Sequence, residues 1–257
     1  MRLHRFYINE KVGEKAGGGE ISLTDSDLAH QLKRVFRFQT GDQVIVFDGS
    51  GFEYVSEIIS LEKDGVVIKI LSQSAKTLSN KNVSLYLALI KKGNFELAAE
   101  KCTEVGVSEI HPIISERSEK KDLNLERLNK IVKEASEQSG RVTLPEVFEV
   151  MDLEEAIKQA VVENRKCLVF HTSDLSFLRK QESGSNSLDP RFREDDRGEK
   201  EDGRKEDVAI FIGPEGGWTE KEMELFKKNS FQIHSLGQNI LRAETAAIIS
   251  VWKVLNN

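Results

Sequence analysis

No apolar run in this chain approaches the roughly 20 residues that a membrane-spanning helix needs. The opening Met1-Arg2-Leu3-His4-Arg5-Phe6-Tyr7 lacks the apolar core of a secretory leader, so export is not expected. Cysteine is scarce. Cys102 and Cys167 belong to no ligand-spaced cluster, which fits a reduced, cytoplasmic setting and gives no support to structural zinc. The five histidines are scattered, and none has metal-ligand spacing to a cysteine or carboxylate, so no metal is expected. The first parallel-type strand is followed by no Gly-x-Gly-x-x-Gly, and the chain has no Gly-Lys-Ser/Thr loop. Dinucleotide and triphosphate sites are therefore poorly supported.

What is present is an acidic globular chain of 257 residues, 39% hydrophobic and 31% charged, long enough for one large or two smaller domains. The net charge of −6 excludes a protein coated in positive charge but leaves room for a local basic patch. Residues 1–40 carry seven Lys/Arg against five Asp/Glu. Within them His30, Lys33, Arg34 and Arg37 recur at i, i+3, i+4 and i+7 of a helix expected over Asp25–Arg37 and N-capped by Thr24. Leu28, Leu32, Val35 and Phe36 would form its apolar face. A solvated basic face is the usual meaning of such a pattern; an RNA-backbone contact is the alternative.

Strands at Val44–Phe47, Phe52–Ile59 and Val66–Leu71, separated by Gly-containing turns, suggest a small β-barrel over residues 1–72. A polar linker, Ser72–Asn82, follows. The pattern then changes to alternating strands and helices, which implies a parallel sheet over residues 73–257. The strands are Val83–Ile90, Glu109–Ile114, Cys167–Phe170, Val208–Ile212 and Phe231–Leu236. The helices are Phe95–Val105, Leu125–Gln138, Leu153–Val162, one opening at Thr219 with Glu222 as capping partner, and Ala243–Leu255. Residues 183–205 hold seven acids and six bases with almost no apolar residues, and are expected to form a disordered insertion.

Two glycine-bearing segments concentrate the chemistry: Ile212-Gly213-Pro214-Glu215-Gly216-Gly217-Trp218 and Leu236-Gly237-Gln238-Asn239-Ile240-Leu241-Arg242-Ala243-Glu244-Thr245-Ala246. Each joins a strand to a helix. Parallel strands place both turns at one sheet edge, where backbone can approach a ligand closely. Glu244 and Thr245 have the ordinary meaning of helix capping, and Arg242 beside the pocket is a candidate placed cation. His171 follows a buried strand and can line the same edge. Gly140 and Arg141 read as a helix stop with a dipole partner, and Lys91-Lys92-Gly93 as either a helix start or a phosphate contact.

These segments, with Arg5-Phe6-Tyr7, Arg34-Val35-Phe36-Arg37, Phe47-Asp48-Gly49, Glu100 to Val107, Glu116-Arg117-Ser118 and Glu137 to Arg141, make the chain resemble the RsmE-type 16S rRNA (uracil-N3) methyltransferases of the SPOUT class. The resemblance runs almost end to end, and the insertion at 183–205 departs from it. It implies a PUA-like barrel followed by an α/β domain with a deep trefoil knot, S-adenosylmethionine as cofactor, the small ribosomal subunit as partner and a homodimer. It assigns the cofactor to Phe170, His171, Gly213, Pro214, Glu215, Gly216, Leu236, Gly237, Ile240, Leu241 and Thr245. It offers Arg242, Arg141 and Glu244 for catalysis, and His30, Lys33, Arg34 and Arg37 for RNA. Ile248, Ile249, Val251 and Trp252 would face the second subunit. Another SPOUT methyltransferase, acting on ribose 2′-oxygen or tRNA, and a catalytically silent rRNA-binding assembly factor stay open beside it.

Overall fold

The computed structural model describes residues 3–13, 19–77, 79–118, 123–171 and 205–257. The expected insertion at 183–205 therefore lies outside the described residues except for Lys205. The chain divides into two compact units, one of residues 1–78 with 126–145, the other of residues 79–125 with 146–257.

The first unit is built on a five-stranded sheet of β1 (Arg5–Tyr7), β2 (Glu20–Leu23), β3 (Gln43–Phe47), β4 (Phe52–Leu61) and β5 (Val66–Ala75). The order is β1-β3-β4-β5-β2, antiparallel except for the parallel β1–β3 pair. Apolar residues alternate along the strands, and one face buries Phe6, Ile21, Val44, Val46, Tyr54, Ile58, Ile68 and Ile70 as a single core. β5 extends to Ala75 and the next strand starts at Lys81, so the expected linker Ser72–Asn82 is much shorter than its polarity suggests. Backbone pairing tolerates polar side chains on an exposed face.

The helix expected over Asp25–Arg37 is replaced by α1 (Ser26–His30) continuing into one π-helical turn, Gln31–Val35. Asp25, not Thr24, is the N-cap; its carboxylate accepts the N–H groups of Asp27 and Leu28. The wider turn breaks the 3.6-residue count. Leu28 and Leu32 reach the core, but Val35 stands 63% exposed. Arg37 lies beyond the helix at φ 59°, off the face assumed for it.

The helix α3 (Leu125–Ser139) groups with this first unit through residues 126–145. Glu137, 6% exposed, accepts the Tyr7 backbone N–H at 3.0 Å, and Lys133 lies over the Tyr7 ring. Arg5 forms an ion pair with Glu53 and donates to the Arg141 carbonyl at 3.1 Å. Gly140 ends the helix at φ 80°, as its place in the sequence indicates.

The second unit carries seven parallel strands: β6 (Lys81–Ala88), β7 (Glu109–Ile114), β8 (Glu146–Val147), β9 (Met151–Asp152), β10 (Lys166–Phe170), β11 (Glu206–Ile212) and β12 (Gln232–His234). Their order is β12-β10-β11-β6-β7-β8, with β9 also on β7. The helices are α2 (Lys92–Val105), α4 (Leu153–Val162), α5 (Glu220–Lys228) and α6 (Ala243–Leu255). Side chains of α4 and α5 pack with Tyr86, Val169 and Phe211 in one core, while α6 lies against α2, β6 and β11. Fully parallel strands need this cover, which explains their continuous apolar runs. Flat rings cross this sheet in a column: Phe211 on Tyr86 at 4.4 Å, Tyr86 on His111 at 4.3 Å, and His111 on Phe148 at 4.0 Å. His111 also meets Glu109 at 2.9 Å. Burial would raise the Glu109 pKa, but hydrogen bonds from His111 and Ser84 and the charge of Arg165 hold it down to about 2.

Candidate functional site

β10, β11 and β12 end side by side, and their carboxyl ends open into a cleft of about 630 Å³, its mouth included. Open α/β sheets bind ligands at this edge. β10 contributes Phe170 and His171, and the His171 N–H donates to the His234 carbonyl at 3.0 Å, closing the floor between two strands. β11 leads through Ile212 into the first glycine turn. The Gly217 N–H donates to the Pro214 carbonyl at 2.8 Å, and Gly217 takes φ 67°, which glycine adopts without strain. Trp218 packs face-on behind Gly213: a Cβ built at Gly213 would sit 3.0 Å from the indole ring. Its Nε1–H donates to the Phe170 carbonyl at 3.2 Å and so ties the turn to β10.

Thr219 caps α5, and the expected capping box is present. The Thr219 side chain accepts from the Glu222 N–H, and the Glu222 carboxylate accepts the Thr219 N–H at 2.7 Å. The second glycine turn follows β12. Ser235 Oγ accepts the Gly237 N–H at 3.3 Å and donates to the Gly237 carbonyl at 3.1 Å, while Gly237 takes φ 123°. Ile240, 87% exposed, and Leu241 complete an apolar wall.

α6 begins immediately beyond, with Ala243 and Ala246 on the cleft. Its N-cap, Arg242, makes no side-chain capping bond. The Arg242 side chain is 81% exposed, and its guanidinium lies 3.9 Å from a Glu244 carboxylate oxygen. Glu244 is 6% exposed, and its other oxygen has no hydrogen-bond partner among the described residues. The buried His171 Nδ1 is likewise without a partner there, and burial pushes the His171 pKa down. Of these two, His171 lines the cleft, and a polar atom left unmatched at a cleft wall is matched by a ligand or by water.

Of the residues assigned to the cofactor from sequence, the cleft brings together Phe170, His171, Gly213, Pro214, Glu215, Leu236, Gly237, Ile240 and Leu241. Gly216 and Thr245 do not line it. Gly216 packs on Arg117, and Thr245 is half-buried on α6 outside the lining. Sequence reasoning missed Ile212, Gly217, Trp218, Ser235, Asn239, Ala243 and Ala246 as lining residues, although each stands in or beside a glycine segment.

Arg141 belongs to the first unit. Burial lowers its pKa to about 10, and it donates to Thr143 at 3.4 Å. His30, Lys33, Arg34 and Arg37 are all exposed in that unit, and Lys33 reaches the Leu61 carbonyl at 3.4 Å. Val251 is fully buried within its own unit, whereas Ile249 and Trp252 are 39% and 57% exposed, so Val251 drops out of the proposed subunit face. Among the described residues there is no metal-binding group of His, Cys, Asp and Glu, and no helix long and apolar enough to cross a membrane.

The cleft at the carboxyl edge of the parallel sheet and the small mixed sheet fall in two regions that match RNA methyltransferase family models. Residues 77–254 match the family model described as an RNA methyltransferase domain, and residues 23–71 match the RNA methyltransferase PUA domain. A ribosomal RNA small subunit methyltransferase E from Rickettsia conorii is 32% identical over 99% of this chain and 96% of its own length. The crystal structure of such a protein from Neisseria gonorrhoeae, bound to S-adenosyl methionine, is similar at TM-score 0.78 and 26% identity, covering 99% of this chain and 98% of that one. A Legionella pneumophila methyltransferase with bound SAM superposes at TM-score 0.77 and 26% identity, over 100% and 98% of the two chains. The chain belongs to the ribosomal RNA small subunit methyltransferase E family.

Proposed function

We propose that this protein methylates N3 of a uridine in 16S rRNA of the small ribosomal subunit, with S-adenosylmethionine held in the cleft at the ends of β10, β11 and β12. The cleft itself carries the reading: two glycine turns bring backbone to its wall, and Phe170, Leu236, Ile240 and Leu241 offer apolar faces to a flat ring. The unmatched Nδ1 of His171 fits a ligand with polar atoms. When bound, the cofactor supplies a methyl group on a positively charged sulfonium.

The chain's own residues must hold the base and manage a proton. N3 of neutral uracil bears hydrogen and is a poor nucleophile until that proton leaves; the charge then spreads to the flanking carbonyl oxygens. Arg242, exposed between the lining residues Leu241 and Ala243, is the candidate for stabilising that charge. The free oxygen of Glu244 is the candidate acceptor for the proton, or the anchor that aims Arg242. Glu137 is less suited, because its carboxylate already accepts the Tyr7 N–H and a hydrogen bond from Gln31. Arg141, in the first unit, is the second candidate cation for the RNA, and its buried guanidinium would strengthen a phosphate contact. His30, Lys33, Arg34 and Arg37 supply the RNA-docking charge of the PUA-like unit. The two turns are read as loops of a trefoil knot; the strand order, with β11 returning between β10 and β6, is compatible with it. Exposed Ile249 and Trp252 suit a homodimer face, and the ribosomal substrate implies the cytoplasm.

The test is methylation of small subunits that lack the modification, with the product mapped by mass spectrometry. The wild type incorporates methyl at uridine N3. Arg242→Ala binds the cofactor normally and turns over at least about 100-fold more slowly. Wild-type turnover in that variant removes Arg242 from the mechanism. A methylated ribose would favour another SPOUT activity, and no calorimetric signal with S-adenosylmethionine would favour a silent RNA binder. Reversing Lys33 and Arg34 to Glu weakens RNA binding and flattens its salt dependence while cofactor affinity holds; unchanged RNA affinity would remove that patch from docking.

A further inference from the structure

The first glycine turn is held from outside the cleft as well as from within. Arg117, just past β7, donates from its guanidinium to the Gly216 carbonyl at 2.6 Å. Its aliphatic stem lies on the same glycine: a Cβ built at Gly216 would meet Arg117 Cδ at 3.2 Å and Cβ at 3.4 Å. The neighbouring Glu116 gives its backbone N–H to Glu222 at 2.8 Å, and that same carboxylate closes the Thr219 cap of α5. The segment after β7 is thereby fixed to the segment after β11.

The Gly216 carbonyl and the Gly217 N–H belong to one planar peptide unit. Arg117 holds one end of that plane, and the Pro214 carbonyl holds the other at 2.8 Å. A peptide between two glycines is the easiest to flip, because neither flank carries a Cβ to resist it. Glu215 and Gly217, on either side of Gly216, line the cleft. A flipped plane would lose both hydrogen bonds and set the Gly216 carbonyl against the Pro214 carbonyl.

We propose that Arg117 is a positioning residue for the cofactor: it locks the Gly216–Gly217 peptide in the orientation that the ligand requires. The proposal rests on reading the cleft as the S-adenosylmethionine site. Arg117 acts through the turn and touches no reacting atom.

The experiment is calorimetry with S-adenosylmethionine on the full chain without RNA, paired with KM for small subunits. Absence of binding by the wild type would defeat the cofactor reading itself. Given wild-type binding, Arg117→Ala raises the cofactor Kd about three- to tenfold, the scale of one exposed charge-assisted hydrogen bond, and leaves the subunit KM alone. Arg117→Lys keeps a donor and falls between. Gly216→Ala attacks the same contact from the other side, since the new methyl displaces the arginine stem. It weakens binding in the wild type and adds nothing in the Arg117→Ala background. Melting temperatures of all variants establish that they are folded. Wild-type cofactor affinity in Arg117→Ala, or independent additive effects of the two substitutions, would overturn the proposal. So would a rise in subunit KM alone, which would make Arg117 an RNA contact.

Discussion

The two glycine turns that wall the cleft are built in different ways. The first is anchored to three other parts of its unit: Trp218 ties it to β10, Arg117 grips its outer carbonyl, and Glu222 secures the exit into α5. The second is closed locally by Ser235 on Gly237, and its Ile240 projects into open space. The first turn is a preformed surface. The second leaves apolar area uncovered, with Ile240 87% exposed. Overpacking the buried side of the first turn should therefore register chiefly as lost stability, and truncating the exposed Ile240 of the second chiefly as lost affinity.

Gly213→Ala gives the largest expected effect. Its methyl would press on a Trp218 ring that is 4% exposed and cannot move aside, so unfolding should come up to about 3 kcal/mol easier, as overpacking of a well-filled site commonly does. A melting temperature equal to wild type would show that the indole is not a fixed wall. Gly237→Ala comes next. Nothing lies within 4 Å of the new methyl, so the cost is the positive φ alone, about 1–2 kcal/mol, readable in the same melt. A larger loss there than at Gly213 would reverse the comparison. Ile240→Ala is smallest in stability, with the melt unchanged because the side chain is 87% exposed, yet cofactor affinity should fall several-fold as apolar cover is lost. A lowered melt with unchanged affinity would show that Ile240 serves the fold instead of the ligand.

Much of this architecture was legible in the sequence. β7, α4 and α6 have the expected limits, because long apolar runs and 3.6-residue periodicity leave few alternatives. The Thr219–Glu222 box was readable because a capping box is a local pattern. The edge strands β1 and β2 were not, since three or four residues carry too little alternation to register. The π turn at Gln31–Val35 escaped as well. Its extra residue lets Leu32 reach the core and Phe36 pack on Phe6 and Phe38, and those tertiary demands leave no local mark. The same limit governs the site. Glycine turns after apolar strands announce a cleft, but the Arg117–Gly216 bond spans 99 residues and the Glu137–Tyr7 bond 130. No spacing rule reaches that far, and for the same reason the grouping of α3 with the first unit leaves no local mark.

The chain has two tryptophans, and the fold puts them to opposite uses. Trp218 is 4% exposed and forms part of the cleft wall; Trp252 is 57% exposed on α6. In optical terms the protein is doubly labelled by nature. One emitter sits in an apolar, shielded setting in the cleft wall. The other faces water, within reach of soluble quenchers, on the outer face of α6. With Trp252 replaced by phenylalanine, emission would report on the cleft wall alone; with Trp218 replaced, on the exposed face of α6 alone.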